Sequence, residues 1–278
     1  MTLTTMEEKI DFIHIKNEKI FTVFHVPDTT DVKKAFVFIH PFAEEKLWSH
    51  RVYVSFAREL ASQGYYVARF DFRGHGDSDG DFVDSTFEKH IQDIDGVINH
   101  LKVKYQINDI SLFGLRLGAS LATAYASSKD EITNLILWDP VLNGERYMQE
   151  ILRSNLAAQM ALKGKVEITR DDLVEQMKSG SPINIEGYLL TYNYFNQLSG
   201  LDLLRLDHRK SINCLINQIV RNPKQPQNKA YAEFIEKFSV KSELVKSHEE
   251  QFWKEIKTFY QSADNLNSST LSWMHDLK

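Results

Sequence analysis

Ile110-Ser111-Leu112-Phe113-Gly114-Leu115-Arg116-Leu117-Gly118-Ala119-Ser120-Leu121-Ala122 changes character within a few residues. Ile110 to Phe113 is a short, mostly apolar run of strand type, and Gly118 to Ser127 is a small-residue segment of helical length. A strand that turns this abruptly into a helix needs small residues flanking the turn. Gly114 and Gly118 supply them, and the residue between them, Arg116, projects. The stretch predicts a strand–turn–helix unit, and the rest of the chain repeats the theme.

Upstream, Ala35-Phe36-Val37-Phe38-Ile39 has the continuous apolar character of a strand buried on both faces. Arg51 to Gln63 carries a helical apolar face through Val54, Phe56, Ala57, Leu60 and Ala61, with Gly64 as its stop. Tyr65 to Phe70 reads as a strand, Thr86 to Lys102 as a helix and Thr133 to Trp138 as another strand. The first twenty-six residues read as a hairpin: Ile10, Phe12 and His14 alternate with polar neighbours, Asn17-Glu18 turns, and Ile20 to Phe24 returns. Repeated strand–helix–strand units predict an α/β fold built on a mostly parallel, doubly wound sheet, with the hairpin at one edge. Between 141 and 210 the rhythm breaks into helix and loop, read as a helical lid insertion over the carboxyl ends of the strands. Cys214 to Val220 then resumes the sheet, Lys229 to Lys237 is a helix and Phe238 to Val245 a last strand. The expected organisation is a core of 1–140 and 211–260, a lid of 141–210, and a loosely attached Ser- and Asn-rich tail at 261–278.

Composition narrows the function classes. The 278 residues are 42% hydrophobic and 26% charged, with 33 basic and 38 acidic side chains giving a net charge of −5. With the basic residues scattered, nothing favours nucleic acid. A lone cysteine, Cys214, excludes a disulfide framework and a multi-cysteine metal site. The opening residues lack a basic and then apolar leader, and no apolar run has the eighteen residues a membrane span needs. The expectation is a cytoplasmic protein without cofactor or metal, taking a small molecule as partner and compatible with a homodimer.

In sheets of this type ligands bind beyond the carboxyl ends of the strands. Three loops leave those ends: Ile39-His40-Pro41-Phe42-Ala43-Glu44-Glu45, Asp71-Phe72-Arg73-Gly74-His75-Gly76-Asp77-Ser78, and the turn around Arg116. Together they resemble the α/β-hydrolase superfamily over roughly residues 10 to 260, and the 71–78 turn resembles its esterase- and serine aminopeptidase-like members. The Gly-x-Arg-x-Gly elbow and Pro41-Phe42-Ala43-Glu44-Glu45 look most like exosortase-system-associated hydrolases. The resemblance implies an eight-stranded sheet, an oxyanion hole from the backbone N–H groups of Phe42 and Leu117, and an acyl substrate (ester, thioester or amide). It also implies a nucleophile where Arg116 stands, and a guanidinium is no nucleophile. Ser120 falls inside the following helix. After the penultimate strand, where a triad acid is expected, Arg221-Asn222-Pro223 offers no carboxylate; Asp139, at the end of the preceding strand, is the nearest substitute, or else caps the next helix. For the triad histidine the candidate is His248, although Gln251-Phe252-Trp253 also aligns with that place.

Each candidate has a second reading. Arg116 either anchors an anionic ligand at a helix N-terminus or pairs with Glu44 or Glu45 and plugs the site. Glu44 and Glu45 are solvated loop charges, or they orient Arg116 or activate water. His40 braces its loop or touches ligand; Arg73, His75 and Asp77 hold neighbouring loops together. Tyr188, Tyr192, Tyr194 and Phe195 line a substrate cavity or pack on the sheet. Two functions follow: a hydrolase or acyl-transfer enzyme working without serine, or a non-catalytic scaffold that binds an anionic metabolite or a partner protein.

Overall fold

The computed structural model describes residues 6–29, 32, 34–207, 211–254 and 260–277. The opening residues 1–5 and the end of the expected lid at 208–210 lie outside them. In chain order the elements are β1 (Met6–Ile15), β2 (Glu18–Pro27), β3 (Lys34–Ile39), α1 (Glu44–Ser62), β4 (Tyr66–Phe70), α2 (Phe87–Tyr105), β5 (Asp109–Leu115), α3 (Leu117–Ser127) and β6 (Ile132–Trp138). Then come α4 (Gly144–Lys163), α5 (Arg170–Lys178), β7 (Ile183–Ile185), β8 (Tyr188–Leu190), α6 (Tyr192–Ser199), β9 (Asn213–Val220), α7 (Lys229–Ile235), β10 (Glu243–His248) and α8 (Asp264–Asp276).

Eight strands form one sheet in the order β1-β2-β4-β3-β5-β6-β9-β10. β1 and β2 are antiparallel, β2 runs antiparallel to β4, and the strands from β4 to β10 are mutually parallel. Both faces are covered. Ile94, Val97 and Ile98 of α2, Ala119 and Ala122 of α3, and Tyr231 and Phe234 of α7 close one side. Val52, Phe56 and Leu60 of α1 and Leu266 and Trp273 of α8 close the other. This is the doubly wound sheet that the alternating runs predicted. Because β5 lies between β3 and β6, the loops after those three strands converge. The site is placed by that order.

Several expectations shift. The hairpin turns at Lys16-Asn17, with Ile15 opposite Glu18. Its inward phase is Ile13, Ile20 and Phe24, whereas Ile10 and Phe12 are exposed. Alternation fixes a two-residue period without saying which phase meets the core. α1 begins seven residues before the expected start, placing Glu44 and Glu45 in its first turn, where carboxylates favour the positive end of the helix dipole. The last strand spans Glu243–His248, so His248 ends it rather than following it. The 141–207 stretch includes a small antiparallel hairpin, β7–β8. The expected loose tail is instead α8, with Leu266, Asn267, Thr270, Trp273 and Met274 buried. Its buried residues recur four and three apart among the serines and asparagines, and packing on the sheet supplies what propensity lacks.

Candidate active site

The turn between β5 and α3 is sterically closed. A Cβ on Gly114 would meet Ala119 N at 2.4 Å, and one on Gly118 would meet Ile39 O at 2.2 Å. Glycine at both positions lets three backbones pass this closely. Arg116 takes φ 53°, ψ −122°, a strained conformation for a non-glycine residue. Its backbone is pinned by Arg116 N–H to Trp138 O (3.0 Å) and Ala119 N–H to Arg116 O (3.1 Å). Ala43 (φ 46°) and Asp139 (φ 45°), on the flanking loops, are held at positive φ as well.

Carboxylates surround the guanidinium. Nε lies 3.4 Å from Glu45 Oε1, Nη1 lies 3.5 Å from Asp139 Oδ2, and Nη2 lies 3.8 Å from Glu150 Oε2. Its Cζ is 5.4 Å from the Tyr147 ring centre and 5.5 Å from that of Trp253, within cation–π range of both. Tyr147 donates its hydroxyl to Glu45 Oε2 at 2.8 Å. The Tyr231 hydroxyl donates to Pro140 O (2.9 Å) and lies 3.3 Å from Asp139 Oδ1. Burial pushes the Glu45 and Asp139 carboxyls above their ordinary range, with Arg116 pulling the other way. Burial alone would weaken the Arg116 guanidinium as a base, but Glu45 and Asp139 outweigh it and hold the charge in place.

The sequence candidates divide. Arg116, Glu45 and Asp139 come together. Glu44, although adjacent to Glu45, turns toward Tyr188 and Glu186, and burial raises its pKa. Asp139 does not cap α4, whose N-cap is Asn143. His248 is exposed and its Nε2–H donates to Arg221 O at 3.1 Å; the side chain that the segment after β10 brings to Arg116 is Trp253. Ser120 donates to Val141 O at 2.6 Å within the core.

His40 is buried, and burial holds its imidazole neutral. It donates from Nδ1 to Pro41 O at 2.8 Å and accepts the Phe72 N–H at Nε2, 3.3 Å away, bracing two loops. Phe42 packs against the rings of Phe82, Tyr147 and Tyr194, and Leu117 is buried at the start of α3. Arg73 bridges Asp93 (2.6 Å) and Glu18 (2.8 Å), a structural clamp. Tyr194 of α6 is buried and its hydroxyl lies 2.6 Å from His90 Nε2 of α2, so it packs and bonds between those two helices.

Tyr147, Glu150 and Tyr231 were not legible as site residues. The first two are three apart on α4, on the turn that follows the Asn143 cap, and that spacing is the one signal that they share a face. Arg116, Tyr147, Glu150 and Tyr231 line a cavity of about 400 Å³, walled by Val141, Leu142 and Leu204. A second cavity of about 510 Å³ lies on the other side of Glu45, against Trp48, Trp253 and Lys254. Among the described residues no cluster of His, Cys, Asp and Glu is arranged to hold a metal ion, and no helix is long and apolar enough to cross a membrane.

Comparison with curated proteins finds no match. Among solved structures, the chain is similar to Est1E of Butyrivibrio proteoclasticus with ferulic acid bound, at 18% identity and TM-score 0.66, covering 95% of this chain and 99% of that one. It is similar to an esterase of Pyrococcus furiosus at 18% identity and TM-score 0.64, covering 98% of this chain and 91% of the other. A hypothetical protein of Pseudomonas aeruginosa aligns at 11% identity and TM-score 0.68, covering 100% and 95%. At such identities these likenesses show the fold, the α/β-hydrolase fold, and no more. The family described as serine aminopeptidase (S33) matches residues 30–186, the segment holding all three loops. With more than half of its length inside that match, the chain belongs to the serine aminopeptidase (S33) family of α/β-hydrolases.

Proposed function

We propose that the protein binds a small acyl or carboxylate-bearing molecule beside Arg116 and does so without a covalent acyl intermediate. The observation that carries this reading is the residue at the tip of the elbow: a guanidinium, enclosed by Glu45, Asp139 and Glu150 and by two aromatic rings. The geometry that projects a nucleophile in this fold here projects a group that cannot attack a carbonyl. Among the described residues, the other candidates do not take up the task. Ser120 is bonded into the core, His248 is held at the Arg221 carbonyl, and both Glu45 oxygens are engaged, by Arg116 and by Tyr147.

The electrostatics specify how a ligand enters. Three carboxylates already face one guanidinium, so a further anion is favoured only by displacing one of them. Glu150 is the one that yields, being the farthest at 3.8 Å and 53% exposed. A ligand carboxylate in its place gains the Nη2 donor, while an apolar body rests on Val141, Leu142 and Leu204. The N–H groups of Phe42 and Leu117 have no protein acceptor among the described residues, which suits them to a ligand oxygen.

A serine-directed fluorophosphonate should leave the protein unlabelled, and calorimetric titration should rank short-chain carboxylates above their matched neutral amides. Arg116→Ala should abolish that ranking, and Glu150→Gln, which removes the competing charge, should strengthen carboxylate binding. Stoichiometric labelling of a serine would restore covalent catalysis; carboxylate binding undiminished in Arg116→Ala would remove the anchor.

A further inference from the structure

Arg69 lies on β4 facing α1, between Val23 of β2 and Phe38 of β3. An inward-facing arginine in a sheet ordinarily meets an acid; Glu8 and Asp71 lie close enough to favour its charge, but each makes its direct contacts with other partners. Asp71 takes Lys46 Nζ at 2.8 Å and the Asp77 N–H at 3.1 Å; Glu8 takes Arg58 Nε at 2.7 Å. Arg69 spends its Nε–H on His25 Nε2 at 2.9 Å, an imidazole held neutral by burial. Its two terminal nitrogens have no acceptor among the described residues, yet they are not among the sealed, unpartnered atoms of the interior. Arg69 lines a cavity of about 340 Å³ between α1 and the β2–β4 face. Phe21, Val23, Phe38 and Phe70 wall it, and His50 stands at its mouth.

We propose that this cavity is a second binding site, for a small carboxylic acid with an apolar body, its carboxylate seated on the terminal nitrogens of Arg69. A planar carboxylate matches the guanidinium fork, and the aromatic and aliphatic walls match a hydrocarbon body. A phosphate fits less well: its second charge would face Asp71 and Asp77, which line the same cavity. The site is separate from Arg116, on the other side of the first turns of α1, and does not depend on the function proposed for that residue.

The test uses the full chain with benzoate, benzamide and inorganic phosphate as probes, read by calorimetry and by amide shifts in heteronuclear NMR. Benzoate should bind, and benzamide and phosphate should bind at least about tenfold more weakly. Arg69→Gln should lose the same factor at this site, read from the benzoate-induced shifts of the residues that line the cavity, whatever binding at Arg116 remains. The shifts caused by benzoate should centre on Val23, Ser49, His50 and Gly76. That map is read on the wild type and does not need a variant to fold. Absence of benzoate binding, phosphate binding as tight as benzoate, shifts confined to the neighbours of Arg116, or undiminished shifts around the cavity in folded Arg69→Gln would each overturn the proposal.

Discussion

At the scale of single residues, Arg116 is both a charge and a brace. Replacing it by alanine leaves Glu45 and Asp139 enclosed without their cation, and breaking a buried pair from one side is costly because the surviving charge stays desolvated. We expect Arg116→Ala to lose about 2–4 kcal/mol of stability near pH 7. The loss has a pH signature. A carboxyl whose folded pKa is raised keeps its stabilising contribution below the ordinary carboxylate range and loses it as pH rises through the folded value. Both carboxyls are already raised by burial, and removing Arg116 raises them further. Urea unfolding should therefore show a small difference from wild type near pH 4 and the full difference by about pH 7; a deficit independent of pH would mean that the carboxylates are not its source. Arg116→Ser rebuilds the Gly-x-Ser-x-Gly pattern, but Trp253, not a histidine, stands beside the elbow. That variant should hydrolyse p-nitrophenyl esters no faster than wild type, and saturable turnover lost on His248→Ala would contradict this placement of His248.

At the scale of elements, α8 is the piece whose importance is least expected from its composition. Trp273 is 3% exposed and donates Nε1–H to Lys241 O at 3.1 Å, while Thr270 Oγ1 receives the Trp138 Nε1–H at 3.1 Å. The helix thus ties the chain end to β6 and to the turn before β10. Trp273→Ala should cost about 3–5 kcal/mol, the range for emptying a buried aromatic site. A chain ending before Asp264 should unfold at a markedly lower urea concentration than wild type. If both variants unfold like wild type, α8 is an appendage. At the same scale, the surroundings of Arg116 are assembled from elements far apart in the chain. Glu45 arrives on α1, Asp139 on the loop after β6, Tyr147 and Glu150 on α4, Tyr231 on α7, and Trp253 from the segment after β10. Five segments meet at Arg116.

At the scale of the whole molecule, four histidines buried in a neutral state couple stability to acid. Burial lowers the pKa of His25 and of His75 to about 4 and holds His40 and His90 well below the ordinary value. A histidine with a depressed folded pKa contributes fully above its unfolded value near 6.5 and loses that contribution as pH falls toward the folded one. For His25 and His75 the loss is on the order of 3 kcal/mol each across that window. Carboxyls raised by burial, Glu44, Glu45, Glu59, Asp93, Asp139 and Glu249, work in the opposite direction and offset part of that loss. Total stabilities of about 5–15 kcal/mol leave little to spare, so the urea midpoint should drop steeply from pH 6.5 to 4.5. A flat profile there would show that these imidazoles are charged in the folded chain.

The sequence by itself determined the parallel strand–helix units, their succession along the chain and the elbow at Gly114–Gly118. Each of these is written in local periodicity or in a backbone conformation that only small flanking residues permit. It also determined that Arg116 projects and that no serine stands there. Tertiary structure alone decided which face of β1 is buried, that the Ser- and Asn-rich end is a packed helix, and which charges Arg116 meets. Glu44 and Glu45 are adjacent in sequence, yet one turn of α1 sends Glu44 toward Glu186 and Glu45 toward the guanidinium. Arg116 and Trp253 are far apart along the chain and meet across the end of the sheet. Pairings of that kind depend on where elements come to rest against one another. That is set by the burial of whole faces and leaves no mark in the spacing of neighbouring residues.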